Sequence, residues 1–296
     1  MEPSIDLFLD CHAAIGESPT WVPRERALFW IDVKAPTLNR TEWPAGPTRS
    51  WRFGSDIGGF ALTRDGNAVV ALRQGLALCD LRTGATTLLQ PPPFDPALHR
   101  FNEGACDAAG RLWLGVMFDP LPGVRSPPLP SALHSFRADE GFRPQPDAAE
   151  LHNGIAWSPD NRTLYLSHSN GGRVIAFDFD PDAGTLGRKR DLLAIPARDG
   201  LPDGAAVDEE GCYWCAVHGG SALRRYAPDG RLLRTVTLPV TQPTMCAFAG
   251  DALDEMVVTS AAQKLDAAAL RRQPHAGGIF RFRPGMRGVA RNPYVA

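Results

Sequence analysis

The sequence lacks the long apolar runs and the charge excess of membrane and nucleic-acid proteins. It has no run of 18 apolar residues, so no transmembrane span is predicted. Its 31 basic and 33 acidic residues give a net charge of -2, whereas nucleic acids and anionic membranes attract clustered positive charge. The first residues, MEPSIDLFLDC, contain acids and no basic segment, so we expect no signal peptide. We therefore expect a cytoplasmic monomer without nucleic-acid or membrane partners.

Cysteine is too sparse and too scattered to form a disulfide framework. The six cysteines are spread along 296 residues, a length that needs no covalent cross-links to fold. Cys212 and Cys215 form the only C-x-x-C, within the predicted strand GCYWCAV. Residues three apart on a strand face opposite sides, so one metal ion would not reach both thiols. We interpret the cysteines as reduced core residues.

Helical patterns are scarce, and short strand patterns recur instead. Only KLDAAALRR (264–272) indicates a helix, as an insertion in the last repeat. The proline-rich segments 91–99 and 119–130 are predicted loops, and the run Arg188-Lys189-Arg190 is predicted to be a solvated hairpin turn. Runs rich in aromatic and β-branched residues predict strands; they are ALFWIDV (27–33), NAVVALR (67–73), RLWLGVM (111–117), TLYLSHS (163–169), CYWCAV (212–217) and EMVVTSA (255–261).

One short pattern repeats at nearly constant spacing. Its starts are Glu17, Gly58, Asn102, Asn153 and Asp203, spaced 41, 44, 51 and 50 residues apart. Spacings of roughly 40–50 residues are typical of four-stranded propeller blades, and residues 242–251 begin a sixth unit. The predicted fold is all-β: a six-bladed β-propeller with four-stranded antiparallel blades around a central channel, in one domain over 1–296. We expect the N-terminal strand to close the ring against the last blade.

Equivalent positions in a closed ring point toward a common axis, where oxygen ligands from different blades would meet. Glu17, Asn153 and Asp203 supply two carboxylates and one amide oxygen, which suit a hard or borderline divalent cation. Three protein ligands leave positions open for water and substrate. Alternatively, polar residues at strand starts satisfy turn amides, and the periodicity alone leaves both interpretations open. His152 directly precedes Asn153 and should face away from it on a strand.

Five longer segments resemble the gluconolactonase and regucalcin family of six-bladed propellers. In the family's order they are GESPTW (16–21), RFNEGACDAAGRLWLGVM (100–117), NGIAWSPDNRTLYLS (153–167), GLPDGAAVDEEGCYW (200–214) and LPVTQPTMCAFAGD (238–251). The resemblance implies that Glu17, Asn153 and Asp203 bind one divalent metal ion, and that Asp203 is also a general base. It further implies that Arg100 and Asn102 contact the sugar.

The sequence departs from the family pattern in two places. Family members often carry a glutamate near the substrate where this chain reads Val116-Met117-Phe118-Asp119-Pro120. That substrate contact is therefore either missing or replaced by Asp119. His168 stands where many members have an aspartate, which leaves open an additional imidazole near the site.

The function that these residues indicate is metal-dependent hydrolysis of a sugar (aldono) lactone to the aldonic acid, in pentose or hexose oxidation. A divalent ion (Fe²⁺, Zn²⁺, Mn²⁺, Mg²⁺ or Ca²⁺) would polarise the lactone carbonyl, and Asp203 would accept a proton from water. A serine hydrolase is disfavoured because Ser18 lacks the G-x-S-x-G elbow. The alternatives are a lactonase or esterase for other cyclic esters, and a non-catalytic metal-binding regulatory propeller. Arg100 and Asn102 discriminate between these classes, because ion binding alone requires neither.

Overall fold

Six antiparallel four-stranded sheets form the protein. The computed structural model describes residues 3–295, and its 24 strands fall into six sheets of four. The innermost strand of each sheet contacts the innermost strand of the next sheet along the chain. The innermost strand of the last sheet contacts that of the first sheet, so the six sheets close into a ring. The predicted six-bladed β-propeller is confirmed.

Five blades consist of four consecutive strands each, numbered from the channel outward. Blade 1 contains β2 (Gly16–Val22), β3 (Ala27–Asp32), β4 (Thr37–Glu42) and β5 (Thr48–Arg52). Blade 2 contains β6 (Ile57–Leu62), β7 (Ala68–Leu72), β8 (Gly75–Cys79) and β9 (Thr86–Gln90). Blade 3 contains β10 (His99–Cys106), β11 (Leu112–Phe118), β12 (Ser131–Arg137) and β13 (Gly141–Ala149). Blade 4 contains β14 (His152–Trp157), β15 (Thr163–His168), β16 (Arg173–Asp180) and β17 (Thr185–Ala194). Blade 5 contains β18 (Leu201–Val207), β19 (Tyr213–His218), β20 (Ala222–Tyr226) and β21 (Leu232–Thr237).

The sixth blade combines the two ends of the chain. Its inner strands are β22 (Pro243–Ala249), β23 (Glu255–Ser260) and β24 (Ile279–Phe282), and β1 (Asp6–Leu9) is its outer strand. Asp6 pairs with Arg281 in antiparallel register. The N-terminal strand therefore closes the ring as predicted.

Within residues 3–295, helix is confined to one short insertion and to 3-10 turns at Pro23–Glu25, Ser169–Gly171 and Ala197–Asp199. The helix α1 (Ala267–Arg272) lies in the last blade, where the sequence indicated it, and the Asp266 carboxylate caps it by accepting from the Ala269 N–H at 2.7 Å. No helix in the described residues is long and apolar enough to cross a bilayer.

The basic run at 188–190 lies inside a strand, so its prediction as a hairpin turn was wrong. The turn before β17 is at residues 181–184. Within β17, Arg188 and Arg190 both reach the Asp178 carboxylate, whereas the Lys189 Nζ lies 2.6 Å from Asp147. Side chains alternate along a strand, and this alternation gives each of the three charges a partner on one face or the other.

Buried aromatic and aliphatic side chains fill the space between blades, and two buried tryptophans are held in the same way. The Trp113 Nε1–H donates to Asp107 at 3.0 Å, and the Trp214 Nε1–H donates to Asp208 at 2.9 Å. All six cysteines are free, and Cys212 and Cys215 are buried as predicted. The repeated sequence pattern therefore places a buried tryptophan–aspartate pair in blades 3 and 5, in addition to the candidate site residues.

A β-bulge interrupts the inner strand of every blade. The register with the second strand shifts between Glu17 and Thr20, Ile57 and Gly59, Asn102 and Gly104, Asn153 and Ala156, Pro202 and Ala205, and Pro243 and Met245. Left-handed backbone accompanies three of these bulges, at Ser18 (φ 52°), Glu103 (φ 58°) and Gly154 (φ 59°). Bulges re-aim side chains and concentrate near functional sites. Here they coincide with the repeat starts that the sequence singled out.

The C-terminal segment, residues 283–295, crosses the end of the channel where the inner strands finish, which we call the lower end. It is tied to several blades by backbone bridges, of Gly288 to Asp208 and of Tyr294 to Thr63. The Val295 N–H also donates to the Gly110 carbonyl at 3.0 Å. The upper end, where the inner strands begin, carries the predicted site residues.

Candidate functional site

The predicted site residues lie on the inner strands of four blades. Glu17 is on β2, Arg100 and Asn102 are on β10, Asn153 is on β14 and Asp203 is on β18. Glu17, Asn102, Asn153 and Asp203 are adjacent to a bulge or within it, and Arg100 lies two residues before the bulge of β10. Asp119 directly follows β11, the strand that pairs with β10.

Three of these residues form a direct hydrogen-bonded chain across blades 3 and 4. An Arg100 Nη1–H donates to the Asn102 Oδ1 at 2.8 Å. The Asn102 Nδ2–H then donates to the Asn153 Oδ1 at 2.8 Å and to the His152 carbonyl at 2.9 Å. The Asn153 Nδ2–H donates to the Ser169 Oγ at 2.9 Å. This chain fixes both amides with Oδ1 as acceptor, so each oxygen keeps a lone pair for another partner.

Asp119 joins a second group of charges beside Arg100. One of its carboxylate oxygens lies 3.0 Å from the Arg100 Nε, 2.7 Å from Arg73 and 3.0 Å from Lys34. Burial raises the pKa of Asp119, but the three cations more than offset it, so the pKa lies below its ordinary value. Asp119 is thus an anchor for Arg100.

Three carboxylates on the inner strands have no ion-pair partner among the described residues. Glu103 and Asp203 are buried and Glu17 is partly buried, and among residues 3–295 no basic side chain lies within 4.0 Å of any of them. Burial raises the pKa of Glu17 to about 7. Burial, and then repulsion from Glu17 and Glu103, raises the pKa of Asp203 well above its ordinary value. Uncompensated buried charge of this kind is costly unless protonated or bound to a cation.

Glu103 is a site residue that the sequence analysis missed. Its carboxylate accepts from the Gly154 N–H at 2.6 Å and the Ile155 N–H at 2.7 Å, which holds the bulge of blade 4 in place. Burial and repulsion from Glu17 raise its pKa to about 8. Its position directly after the repeat start Asn102 could have identified it as a candidate. However, the residue type does not predict the left-handed backbone that orients its side chain.

Arg291 was also missed, because it belongs to the C-terminal segment outside the repeats. Its guanidinium donates to the Thr20 Oγ1 at 3.3 Å and approaches the Met245 sulfur at 3.8 Å. Burial lowers the pKa of Arg291, and the nearby Glu103 and Glu17 oppose that shift. A cation therefore approaches the carboxylates from below, without forming an ion pair within 4.0 Å in the described chain.

A separate group of side chains between blades 3 and 4 could also hold a metal ion. Asp147, His152 and His168 place one ligand atom each within 4.8 Å of one another. The His168 Nε2 lies 2.6 Å and the His152 Nε2 lies 3.5 Å from the same Asp147 oxygen. The side chain of His152 is thus packed toward Asp147 and Val116, whereas that of Asn153 contacts Asn102 and Ser169. The imidazole of His168, which the sequence suggested as an additional group near the site, is therefore hydrogen-bonded to Asp147.

The two groups differ in how well they suit a cation. The Asp147 carboxylate already accepts from Lys189 at 2.6 Å, and burial, which would raise its pKa, is outweighed by the His152, His168 and Lys189 hydrogen bonds that lower it. A bound cation would have to share Asp147 with the Lys189 ammonium. Glu17 and Asp203 have no such competitor in the described chain, and the buried Oγ of Ser18, the residue after Glu17, has no hydrogen-bond partner there. The donor set of Glu17, Asn153 and Asp203 therefore fits a divalent cation better.

Comparison with known proteins agrees with this architecture. Residues 15–262 match the family model described as SMP-30/Gluconolactonase/LRE-like region. A 6-deoxy-6-sulfogluconolactonase of Pseudomonas putida is 34% identical over 282 residues, covering 94% of each chain. Regucalcin of Gallus gallus is 30% identical over 283 residues, covering 95% of each.

The fold is shared with solved structures of similar description. A calcium-binding protein, regucalcin from Agrobacterium tumefaciens, superposes with a TM-score of 0.90 and 24% identity, over 100% of this chain and 98% of that one. At this identity the superposition supports the fold, while the family model matches residues 15–262 and the two relatives cover 94–95% of the chain. The chain belongs to the SMP-30/gluconolactonase/LRE-like family.

Proposed function

We propose that this protein hydrolyses a sugar lactone to the corresponding aldonic acid with the help of one divalent metal ion. The observation that carries the proposal is the set of channel carboxylates without counter-ions, next to the fixed Arg100–Asn102–Asn153 chain. Carboxylates alone would suit an ion site, but the ordered amides and guanidinium beside them suit a polar organic substrate. The 6-deoxy-6-sulfogluconolactonase relative adds support for a lactone.

Glu17, Asn153 and Asp203 would hold the ion, which when bound would polarise the lactone carbonyl as a Lewis acid. The Asn153 Oδ1 accepts one hydrogen bond from Asn102 and retains a lone pair for this role. Fe²⁺, Zn²⁺, Mn²⁺, Mg²⁺ and Ca²⁺ all accept such oxygen ligands. The proposal therefore specifies which residues bind the metal ion but not which metal it is.

Asp203 would act as the general base that takes a proton from the attacking water. Burial and the neighbouring Glu17 and Glu103 raise its pKa, which makes it a stronger base than an exposed aspartate. Bound metal would counter this shift in part, leaving the carboxylate ionised and still close to the reacting atoms. One residue would thus both hold the ion and move the proton.

Arg100 and Asn102 would orient the sugar. Two of the guanidinium nitrogens are engaged, Nε with Asp119 at 3.0 Å and Nη1 with Asn102 at 2.8 Å. In the described chain its Nη2 contacts only the Met117 sulfur at 3.0 Å, which leaves an N–H for a ring oxygen or hydroxyl. Asp119 would then act on substrate by positioning Arg100, or directly through its free oxygen. Positioning of this kind contributes orientation rather than bond breaking.

The test is acid release, followed by pH-stat, from xylono-, arabino-, galactono-, glucono- and 6-deoxy-6-sulfogluconolactone. Each lactone is offered to metal-free protein and to protein reconstituted with each of the five ions. We expect hydrolysis of at least one lactone that chelator abolishes and added metal restores. A simple δ-lactone without hydroxyls serves as the control, since preferential turnover of it would favour an esterase for other cyclic esters.

The regucalcin relatives favour one alternative, a metal-binding propeller without catalysis. That alternative predicts stoichiometric ion binding, measured by calorimetry, with no acid release from any lactone above the protein-free rate. Substitution of Asn102 by Ala separates the two functions further. It should weaken turnover if the protein is a lactonase, while ion binding should persist in either case.

A further inference from the structure

The lower half of the channel encloses a cavity that the proposed reaction does not use. Its volume is about 450 Å³, within the range of about 300–1,000 Å³ that small-molecule sites occupy. Inner strands of all six blades line it, and residues 289–293 of the C-terminal segment form part of its wall. Glu17, Asn153 and Asp203 are not among the lining residues. The cavity is therefore separate from the candidate metal site.

The walls are largely apolar, and every charged residue among the described ones that line them is an arginine. Apolar lining residues include Phe60, Ile155 and Phe248, the charged ones are Arg24, Arg64 and Arg291, and no aspartate or glutamate of residues 3–295 lines the cavity. A neutral sugar would lose most of its hydrogen bonds to water against such walls. A ligand with an apolar body and a negative charge would match both the apolar walls and the arginines.

Arg291 provides the specific polar contact. Among residues 3–295 no carboxylate lies within 4.0 Å of its guanidinium, whose contacts are the Thr20 Oγ1 at 3.3 Å and the Met245 sulfur at 3.8 Å. A guanidinium carries five N–H donors, so most of those of Arg291 have no acceptor within the described part of the chain. Arg24 donates to the Arg64 carbonyl at 3.1 Å, which holds these two exposed arginines beside each other.

We propose that this lower cavity binds an organic anion with an apolar body, its carboxylate or sulfonate accepting from Arg291. The apolar walls account for the body of such a ligand, and Arg24 and Arg64 add favourable charge. Glu17 and Glu103 lie above Arg291 and repel an anion, so the anionic group belongs on the lower side of the guanidinium. The site is independent of lactone hydrolysis and persists whether or not that activity is found.

Two probes that share an aromatic body test the role of charge. Anilinonaphthalene sulfonate is anionic, and N-phenyl-naphthylamine is its neutral counterpart. With the full-length protein, fluorescence and calorimetric titrations should show saturable binding of one sulfonate probe per chain. The neutral probe should bind at least about tenfold more weakly, because it lacks a hydrogen bond to a charged group. Equal affinity of the two probes would refute the proposal.

Variants locate the site. Arg291→Met keeps the length of the side chain without its charge and should raise the Kd of the sulfonate probe about tenfold or more. Ala206→Phe fills part of the cavity and should block both probes. Arg188→Met, on the exposed outer strand of blade 4, is the matched control and should leave the Kd unchanged.

Each result bears on the proposal directly. Unchanged affinity in a folded Arg291→Met protein would overturn it, as would binding of both probes by Ala206→Phe. If Arg291→Met does not fold, the comparison of the two probes on the wild-type protein, and competition by decanoate but not by decanol, decide the question.

Discussion

Glu17, Glu103 and Asp203 bring three carboxylates into one channel, and no described basic side chain pairs with them within 4.0 Å. Proteins tolerate such a cluster when protons or a cation neutralise it. Without metal, the cluster should hold protons at neutral pH that exposed acids would have released. The pKa of about 8 for Glu103 expresses that cost, and its main causes are burial and repulsion from Glu17.

The stability of the metal-free protein should fall as pH rises from about 4.5 to about 8. Folded Glu103 has a pKa of about 8, whereas an unfolded glutamate has about 4.3. The folded state therefore binds the extra proton in this window, and stability present at low pH is lost as pH rises through the folded pKa. One such group changes the free energy of unfolding by up to about 1.4 kcal/mol per pH unit.

Urea unfolding of the metal-free protein at a series of pH values measures this slope. Glu103→Gln should flatten it, and the exposed Glu140→Gln should not. A stability that rises across the window in wild-type protein would contradict the assigned pKa direction.

Asp203→Asn should separate ion binding from proton transfer. The amide keeps an oxygen ligand and loses the base, so kcat on the best lactone should fall about 10²-fold or more. Steady-state kinetics together with the metal content of the same preparation provide the measurement. A fully loaded variant with wild-type kcat would remove Asp203 as the base.

Sequence reasoning found the residues that repeat and missed those that the fold alone brings in. Glu17, Asn102, Asn153 and Asp203 share one slot in four units, so their common location near the upper end followed from periodicity. Arg291 follows the last blade and has no repeat partner, and only the path of the C-terminal segment brings it under the channel. Lys189 was assigned to a turn because strand alternation in β17 was hidden by two flanking arginines.

At the scale of elements, the bulges of the inner strands determine where the site side chains point. Three of them, at Ser18, Glu103 and Gly154, depend on left-handed backbone that non-glycine residues adopt only at a cost. Close approach between blades adds a second constraint. A Cβ at Gly58 would lie 2.0 Å from the Phe101 carbonyl oxygen, so the blade 2 slot has no room for a ligand side chain. The sequence shows that this position is a glycine, but only the structure shows why: the neighbouring strand β10 leaves no room for a side chain.

Gly154→Ala should destabilise the protein by about 2–4 kcal/mol, since it combines strain with overpacking. Gly154 has φ 59°, and a Cβ there would lie 2.1 Å from the Tyr213 Oη. Gly66→Ala is the matched control, because Gly66 also has positive φ but no neighbour within 4 Å of the added carbon. It should cost only about 1–2 kcal/mol. Equal losses in chemical denaturation would show that the Tyr213 contact is readily relieved.

At the scale of the whole molecule, stability depends on closing the ring. The blade count and the closing strand followed from the sequence because repeats of about 40–50 residues predict a propeller. The course of residues 283–295 could not be predicted from the sequence, because they have no strand periodicity and pair through isolated bridges. Deletion of residues 1–10 would remove β1 and expose the β24 edge, which includes Ile279 and Phe280.

That deletion should lower the melting temperature and promote aggregation, because unpaired strand edges template intermolecular pairing. Calorimetry and size-exclusion chromatography measure the two effects. Deletion of residues 1–3 leaves β1 intact and should change neither. A monomeric 1–10 deletion with wild-type melting temperature would show that blade 6 needs only three strands.

Pairing of β1 with β24 also determines when the protein can be completed during its synthesis. β1 leaves the ribosome long before its partner β24, since Asp6 pairs with Arg281. At about 5–20 residues per second, tens of seconds pass before that partner is made. During this interval blades 1 to 5 can form in order, while β1 remains an unpaired apolar segment. β1 therefore stays without its native partner until the inner strands of all six blades have been made, and residues 283–295, which cross the lower end of the channel, are synthesised after β24.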